Sequence, residues 1–272
     1  MTQDRDSVKN TFTVAFTLCI VCSVIVSGAA VLLRPYQNAN KENFKKRNVL
    51  SAAGLYKEGT SIAEAFEQIT TKIVDLGTGE YLSDEDIKTK AGVESGNAND
   101  FDQKASSKNL DLSATIDAAD DIATLKRREK YAAVYLIEKN GKIDQIILPI
   151  KGYGLWSTLY GFLALDGDLK TIRGITYYEH GETPGLGGEV DNESWKASWV
   201  GKKAFDDEGK IAIVVAKGKV DTARPEGVYQ VDGLSGATIT SRGVTNMLVF
   251  WLGKNGFGPY LNQLRKTGGN DG

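Results

Sequence analysis

The chain predicts an α+β fold: an N-terminal transmembrane helix, then a mixed, largely antiparallel sheet domain with packed helices. Three observations carry this. Residues 11–33 form an apolar run without a charge, Asn140-Gly141 and Asp166-Gly167 each separate two strand-like segments, and an amphipathic stretch, 242–253, follows them. Strands followed by a helix that can cover them indicate an α+β layer arrangement.

The apolar run is long enough to span a bilayer core of about 30 Å at 1.5 Å per residue. It exceeds the usual apolar core of a cleaved signal, about 7–15 residues, and Arg34-Pro35 closes it, although Ser27-Gly-Ala-Ala30 resembles a cleavage site. Arg5 and Lys9 precede the span, while Arg34, Lys41, Lys45, Lys46 and Arg47 follow it, so a literal charge count leaves the large domain in the cytoplasm. Large domains translocate regardless of nearby charge, so the side stays open at this point. Both cysteines, Cys19 and Cys22, lie within the span at i,i+3. That spacing suits half of a metal site, but two ligands complete none, and cysteine serves as a small apolar residue in such helices. No metal site is expected.

Residues 34–60 read as a polar, basic stalk. Ser61-Ile-Ala-Glu64 forms a capping box, and Ile62, Phe66, Ile69 and Ile73 then share one face of an expected helix. The acidic, Asn/Ser/Gly-rich stretch 84–121 reads as loops and short helices. Strands are expected at 132–138 and 142–149 around Asn140-Gly141, at 159–165 and 171–178 around Asp166-Gly167, and at 211–216 and 228–232. A short helix over 194–200 places Trp195 and Trp199 one turn apart. The last helix, 242–253, carries Val244, Met247, Leu248 and Trp251 inward and ends at Asn255-Gly256. The division this implies is a tail at 1–10, the span at 11–33, stalk and acidic insert at 34–130, a ligand-binding domain at 131–260 and a tail at 261–272.

Net charge is −2 over 272 residues, which gives no reason to expect nucleic acid as a partner. Gly185 and Gly187 are followed by Val190 where a dinucleotide fingerprint needs its third glycine, and no P-loop is present. The only histidine, His180, and the absence of a nucleophile elbow at Ser235 leave hydrolysis without a triad. Three glycine-containing segments remain: Gly152-Tyr-Gly-Leu-Trp-Ser157, His180-Gly-Glu-Thr-Pro-Gly-Leu-Gly187 and Asp232-Gly-Leu-Ser-Gly-Ala-Thr-Ile-Thr240. The third leads from a strand into the last helix. It is either an anion site, with backbone N–H groups at a helix start and small residues that admit a bulky group, or a plain N-cap by Thr238 or Thr240.

Asp232-x-x-Ser-Gly-Ala-Thr-x-Thr240 resembles the flavinylation motif of FMN-binding domains in the B and C subunits of the sodium-translocating NADH:quinone oxidoreductase and in the G subunit of the related Rnf complex. Gly154-Leu-Trp-Ser157, Glu182-Thr-Pro-Gly-Leu-Gly187, Val74-Asp-Leu and the N-terminal span are similar in order and spacing to the C subunit (NqrC), so the resemblance covers most of the chain. It implies FMN linked through a phosphoester to Thr240 by a flavin transferase that takes it from FAD. Asp232, Ser235, Gly236, Ala237 and Thr238 complete the motif. Leu155, Trp156, Leu186 and the backbone from Thr183 to Gly187 are then the flavin pocket. A Trp after a strand is otherwise a core residue, and Lys217 either approaches the flavin or is a solvated strand-end lysine. The resemblance further implies an electron relay in the NADH:ubiquinone reductase that exports sodium, with the A, B, D, E and F subunits as partners. It places the chain in the bacterial inner membrane, single-pass, with the large domain in the periplasm. The G subunit of the Rnf complex, or an anchored assembly protein without flavin, is the alternative.

Overall fold

A computed structural model describes residues 7–268. Helix α1, Val8–Ala52, runs through the apolar segment and does not stop at Pro35. A proline inside a helix removes one hydrogen bond and is tolerated where its neighbours satisfy the rest. The helix is long and apolar enough to cross a membrane by length and composition. One compact unit ends at Lys45 and the other begins at Lys46.

The second unit is built on a five-stranded antiparallel sheet. Its strands are β1 (Ile69–Asp75), β4 (Tyr131–Lys139), β5 (Lys142–Tyr153), β6 (Thr158–Asp166) and β7 (Ile172–Glu179), side by side in the order β1-β4-β5-β6-β7. Both expected hairpins are present. Asn140 and Gly141 turn between β4 and β5 with φ of 53° and 75°, the left-handed pair that matches strand twist. The alternation of β4 sends Ala132, Val134 and Leu136 to one core, and Ala133, Tyr135 and Ile137 to another. The first core is closed by α6 (Thr238–Leu252) through Met247, Leu248 and Trp251, and by Trp195 and Trp199. Trp195 belongs to α5 (Glu193–Ala197), and its ring meets Trp199 edge-on at 5.3 Å. The second core is closed by Val49, Leu50 and Ala52 of the helix end, by Ala65 of α2 (Ile62–Phe66) and by Ile87 of α3 (Asp84–Thr89). Residues expected in the stalk thus reach the sheet, where the Thr176 hydroxyl donates to the Asn48 carbonyl at 3.1 Å.

The capping box opens a helix as expected, but Ile69 and Ile73 lie in β1, not on that helix. A spacing of four residues puts two side chains on one face in a helix and in a strand alike. The β-branched run Ile69-Thr-Thr-Lys-Ile-Val74 decides for the strand. The acidic stretch does hold short elements: α3, a 3-10 turn at Ala98–Asp100, α4 (Gln103–Lys108) and β2 (Ser113–Thr115), which pairs with β3 (Arg127–Glu129). At 211–216 and 228–232 the paired strands are only β8 (Val214–Val215) and β9 (Gln230–Val231), a parallel pair, with an isolated antiparallel bridge from Ile211 to Phe205. Helix α6 begins at Thr238, earlier than expected. Where a tail was expected, α7 (Gly258–Gly268) buries Leu261 completely.

Candidate flavin-attachment site

Thr240 lies in the first turn of α6, where three loops converge at one end of the sheet. Strand β5 stays paired with β6 up to Tyr153 opposite Thr158, so Gly154–Ser157 is the turn between them, closed by Gly154 N–H to the Ser157 carbonyl at 2.8 Å. Strand β7 ends beside the start of β6, with Glu179 opposite Tyr160, which delivers residues 180–188 to the same end. Helix α6 is fixed across β5 by the Trp251 indole, which donates to the Lys151 carbonyl at 2.7 Å.

Glu182 is the hub. Its side chain accepts backbone N–H bonds from Leu155 (3.1 Å), Trp156 (2.9 Å) and Ser157 (3.2 Å). It also accepts the Thr240 hydroxyl, 2.6 Å from Oε2. Burial pushes the Glu182 carboxyl up, but the Thr240 hydroxyl and the three N–H groups outweigh it, and the group sits below its ordinary value. It is therefore a carboxylate at neutral pH. Two glycines make room for this contact. A Cβ on Gly187 would lie 2.6 Å from the Thr240 hydroxyl, and one on Gly154 would lie 2.7 Å from Glu182 Oε1.

Thr240 itself is only 1% exposed, whereas Ser235 and Thr238 of the same segment are less enclosed, Thr238 lying open to solvent. The N-cap of α6 is Ala237, and no side chain caps it. The plain-cap alternative therefore fails, and the helix start keeps its backbone N–H groups for another acceptor. Gly236 turns with φ of 70°, packed so closely that a Cβ there would meet Leu186 at 2.8 Å. Leu155, Trp156, Leu186 and Ile239, from these loops and the helix start, are 39%, 64%, 43% and 53% exposed. Trp156 is thus no core residue. Apolar groups left in water around a buried polar atom are what a planar aromatic ligand would cover.

The other expected residues stand further out. Asp232 shapes the loop: its carboxylate accepts from Val220 N–H at 2.7 Å, and its carbonyl from the Trp195 indole at 2.8 Å. The Thr183 carbonyl closes its own loop by accepting from Leu186 and Gly188. Lys217 is exposed after β8, and among the described residues no hydrogen bond or ion pair joins it to Thr240 or Glu182. His180 accepts from Glu182 N–H through Nδ1 at 3.2 Å and pairs with Asp191 through Nε2 at 2.8 Å.

An FMN-binding domain model matches residues 154–253, which spans all three loops. The C subunit of the Na(+)-translocating NADH-quinone reductase of Pseudomonas aeruginosa is 49% identical over 97% of this chain and 98% of its own length. The same subunit of Vibrio vulnificus is 45% identical over 98% and 99%. The chain belongs to this NqrC family. It goes with these C subunits rather than with the G subunit of the Rnf complex. Among solved structures, Shewanella oneidensis NqrC superimposes with a TM-score of 0.73 at 36% identity, covering 84% of this chain and 99% of that one. The C subunit from Parabacteroides distasonis gives 0.60 at 28%, covering 84% and 96%.

The residues present fit FMN. An uncapped helix start suits a phosphate, glycines leave the Thr240 hydroxyl room, and exposed apolar side chains suit an isoalloxazine. Two residues that matter here escaped sequence reasoning. Ser241 accepts Leu234 N–H at 3.1 Å and ties the turn to the helix. Glu182 sits inside the quoted loop motif, and the one available signal was a carboxylate among glycines in a segment otherwise without charge.

Proposed function

We propose that this chain carries FMN as a phosphoester on Thr240 and relays electrons within the sodium-translocating NADH:quinone reductase. The observation that carries the reading is the Thr240 hydroxyl: buried, at an uncapped helix start, in a segment whose neighbouring loops expose apolar residues. The first-turn N–H groups of α6 would hold the phosphate, with Asp232, Ser235, Gly236, Ala237 and Thr238 shaping the turn. Leu155, Trp156, Leu186 and the backbone at Thr183–Gly187 would bound the ring, with Lys217 at the periphery. FMN, when bound, supplies reversible electron uptake, and the protein supplies position and electrostatics.

Residues 11–33 anchor the chain in the bacterial inner membrane, with the large domain periplasmic. The A, B, D, E and F subunits provide the NADH, quinone and sodium sites, and a flavin transferase loads the cofactor. The test is flavin fluorescence of the denatured protein in a gel after co-expression with the transferase. Thr240→Val should abolish the band, while Thr240→Ser, which keeps a hydroxyl, should retain one. A fluorescent Thr240→Val protein would place the attachment elsewhere.

A further inference from the structure

We infer that Glu182 is the general base of the attachment reaction, taking the Thr240 proton as its oxygen bonds to phosphorus; this rests on the proposed linkage at Thr240. A threonine hydroxyl is a weak nucleophile and needs an adjacent base. Glu182 Oε2 lies 2.6 Å from Thr240 Oγ1, within the range for direct proton transfer.

The neighbouring ionisable groups are committed elsewhere. Both ring nitrogens of His180 are engaged, one by Glu182 N–H and the other by Asp191. Asp232 is turned to Val220 N–H. Glu182 carries the negative charge that accepting a proton requires.

The position of Glu182 is also set from outside its own loop. Its carboxylate is pinned to the β5–β6 turn by Leu155, Trp156 and Ser157. The loop from Thr183 to Gly188 is closed on itself, through Leu186 and Gly188 N–H to the Thr183 carbonyl. A Cβ on Gly187 would meet the Thr240 hydroxyl at 2.6 Å and Glu182 Oε2 at 2.8 Å, so the glycine leaves both reacting atoms free of a side chain.

The chemistry is a phosphoryl transfer without redox change. Thr240 Oγ1 forms a bond to the flavin-side phosphorus of a flavin dinucleotide, and the pyrophosphate P–O bond breaks. The nucleoside monophosphate leaves with that electron pair, and the hydroxyl proton ends on Glu182 Oε2. Cofactor chemistry in the finished protein is not involved.

The experiment follows labelling of the full chain in detergent by the transferase and FAD, reading covalent flavin fluorescence against time. Glu182→Gln keeps the shape and one acceptor oxygen but cannot take a proton, so its rate should fall by about 100-fold, with circular dichroism unchanged. A folded Glu182→Gln chain labelled within about threefold of the wild-type rate, while Thr240→Val stays unlabelled, overturns the base and leaves the linkage standing. Labelled Thr240→Val overturns the linkage and the base together. Should Glu182→Gln fail to fold, a carbon-13 NMR titration of the wild-type carboxyl decides before any flavin is attached. A carboxylate at pH 7 supports the role, and a protonated carboxyl at pH 7 overturns it.

Discussion

Four donors converge on the Glu182 carboxylate, and they set which neighbours can be replaced. A Cβ at residue 154 would press on Glu182 Oε1 at 2.7 Å and on Leu159 at 2.8 Å, from a side where the core is already full. Gly154→Ala should therefore cost about 1–3 kcal/mol, as overpacking does, and slow flavin loading as the carboxylate is displaced. Urea unfolding followed by circular dichroism reads the first effect, and gel fluorescence the second. Gly201→Ala would be a poor comparison despite its open space, because φ there is 81°. At this scale the sequence was informative about Thr240 because the hydroxyl stands in a recognisable string. For Glu182 it held only a carboxylate among glycines, because its contacts form only when turns distant in sequence, 154–157 and 180–188, meet Thr240. Trp156 could have been core or pocket, since a tryptophan after a strand serves both uses, and only its exposure separates them.

Among the elements, the loop that carries Glu182 to Gly188 is stapled at its ends by His180 and Asp191. The Asp191 carboxylate beside Nε2 pushes the His180 pKa up, against the opposing pull of burial, and protonation gives up the bond that Nδ1 accepts from Glu182 N–H. A raised folded-state pKa contributes stability fully below the unfolded value of about 6.5, and loses it as pH rises through the folded value. Asp191→Asn should therefore flatten the slope of stability between about pH 6 and pH 8, the range in which histidine titrates. Chemical denaturation across that range checks it, and a slope equal to wild type would show that the staple contributes nothing.

A second ionic element lies under the sheet. Lys151 of β5 meets Glu129 of β3 at 2.6 Å with Glu129 fully buried, and Gln103 of α4 donates to the same carboxylate. Lys151→Met leaves that charge without its cation and should cost about 3–5 kcal/mol, whereas adding Glu129→Gln should recover much of the loss. Thermal melts of both variants test this. Elements with a strong local signal were legible: the Asn140-Gly141 hairpin, the paired tryptophans and the last helix. Strand β1 was not, because isoleucines four apart satisfy two periodicities. Strands at 211–216 and 228–232 were overcalled, because only a short parallel pairing forms and Val215 N–H turns to the Thr245 hydroxyl of α6 instead.

At the level of the whole molecule, one long helix precedes a folded unit whose functional end is formed by loops. If the large domain is periplasmic, a C-terminal alkaline phosphatase fusion should be active and a green fluorescent protein fusion exported by the general secretory route dark. The reverse pattern would return the domain to the cytoplasm, as the basic residues after the span suggest by count. A relay that depends on partner subunits should not oxidise NADH alone. The full chain in detergent, with FMN attached, should show negligible NADH oxidation while a small-molecule reductant bleaches its flavin. Rapid turnover with NADH would instead give the isolated chain a substrate site of its own. All of this depends on the cofactor being attached where Thr240 meets Glu182. Intact mass and peptide mapping of the protein from its native host measure that directly. The expected result is a gain equal to FMN less one water, carried by the peptide containing Thr240. An unmodified mass, or the flavin on a different peptide, would contradict it.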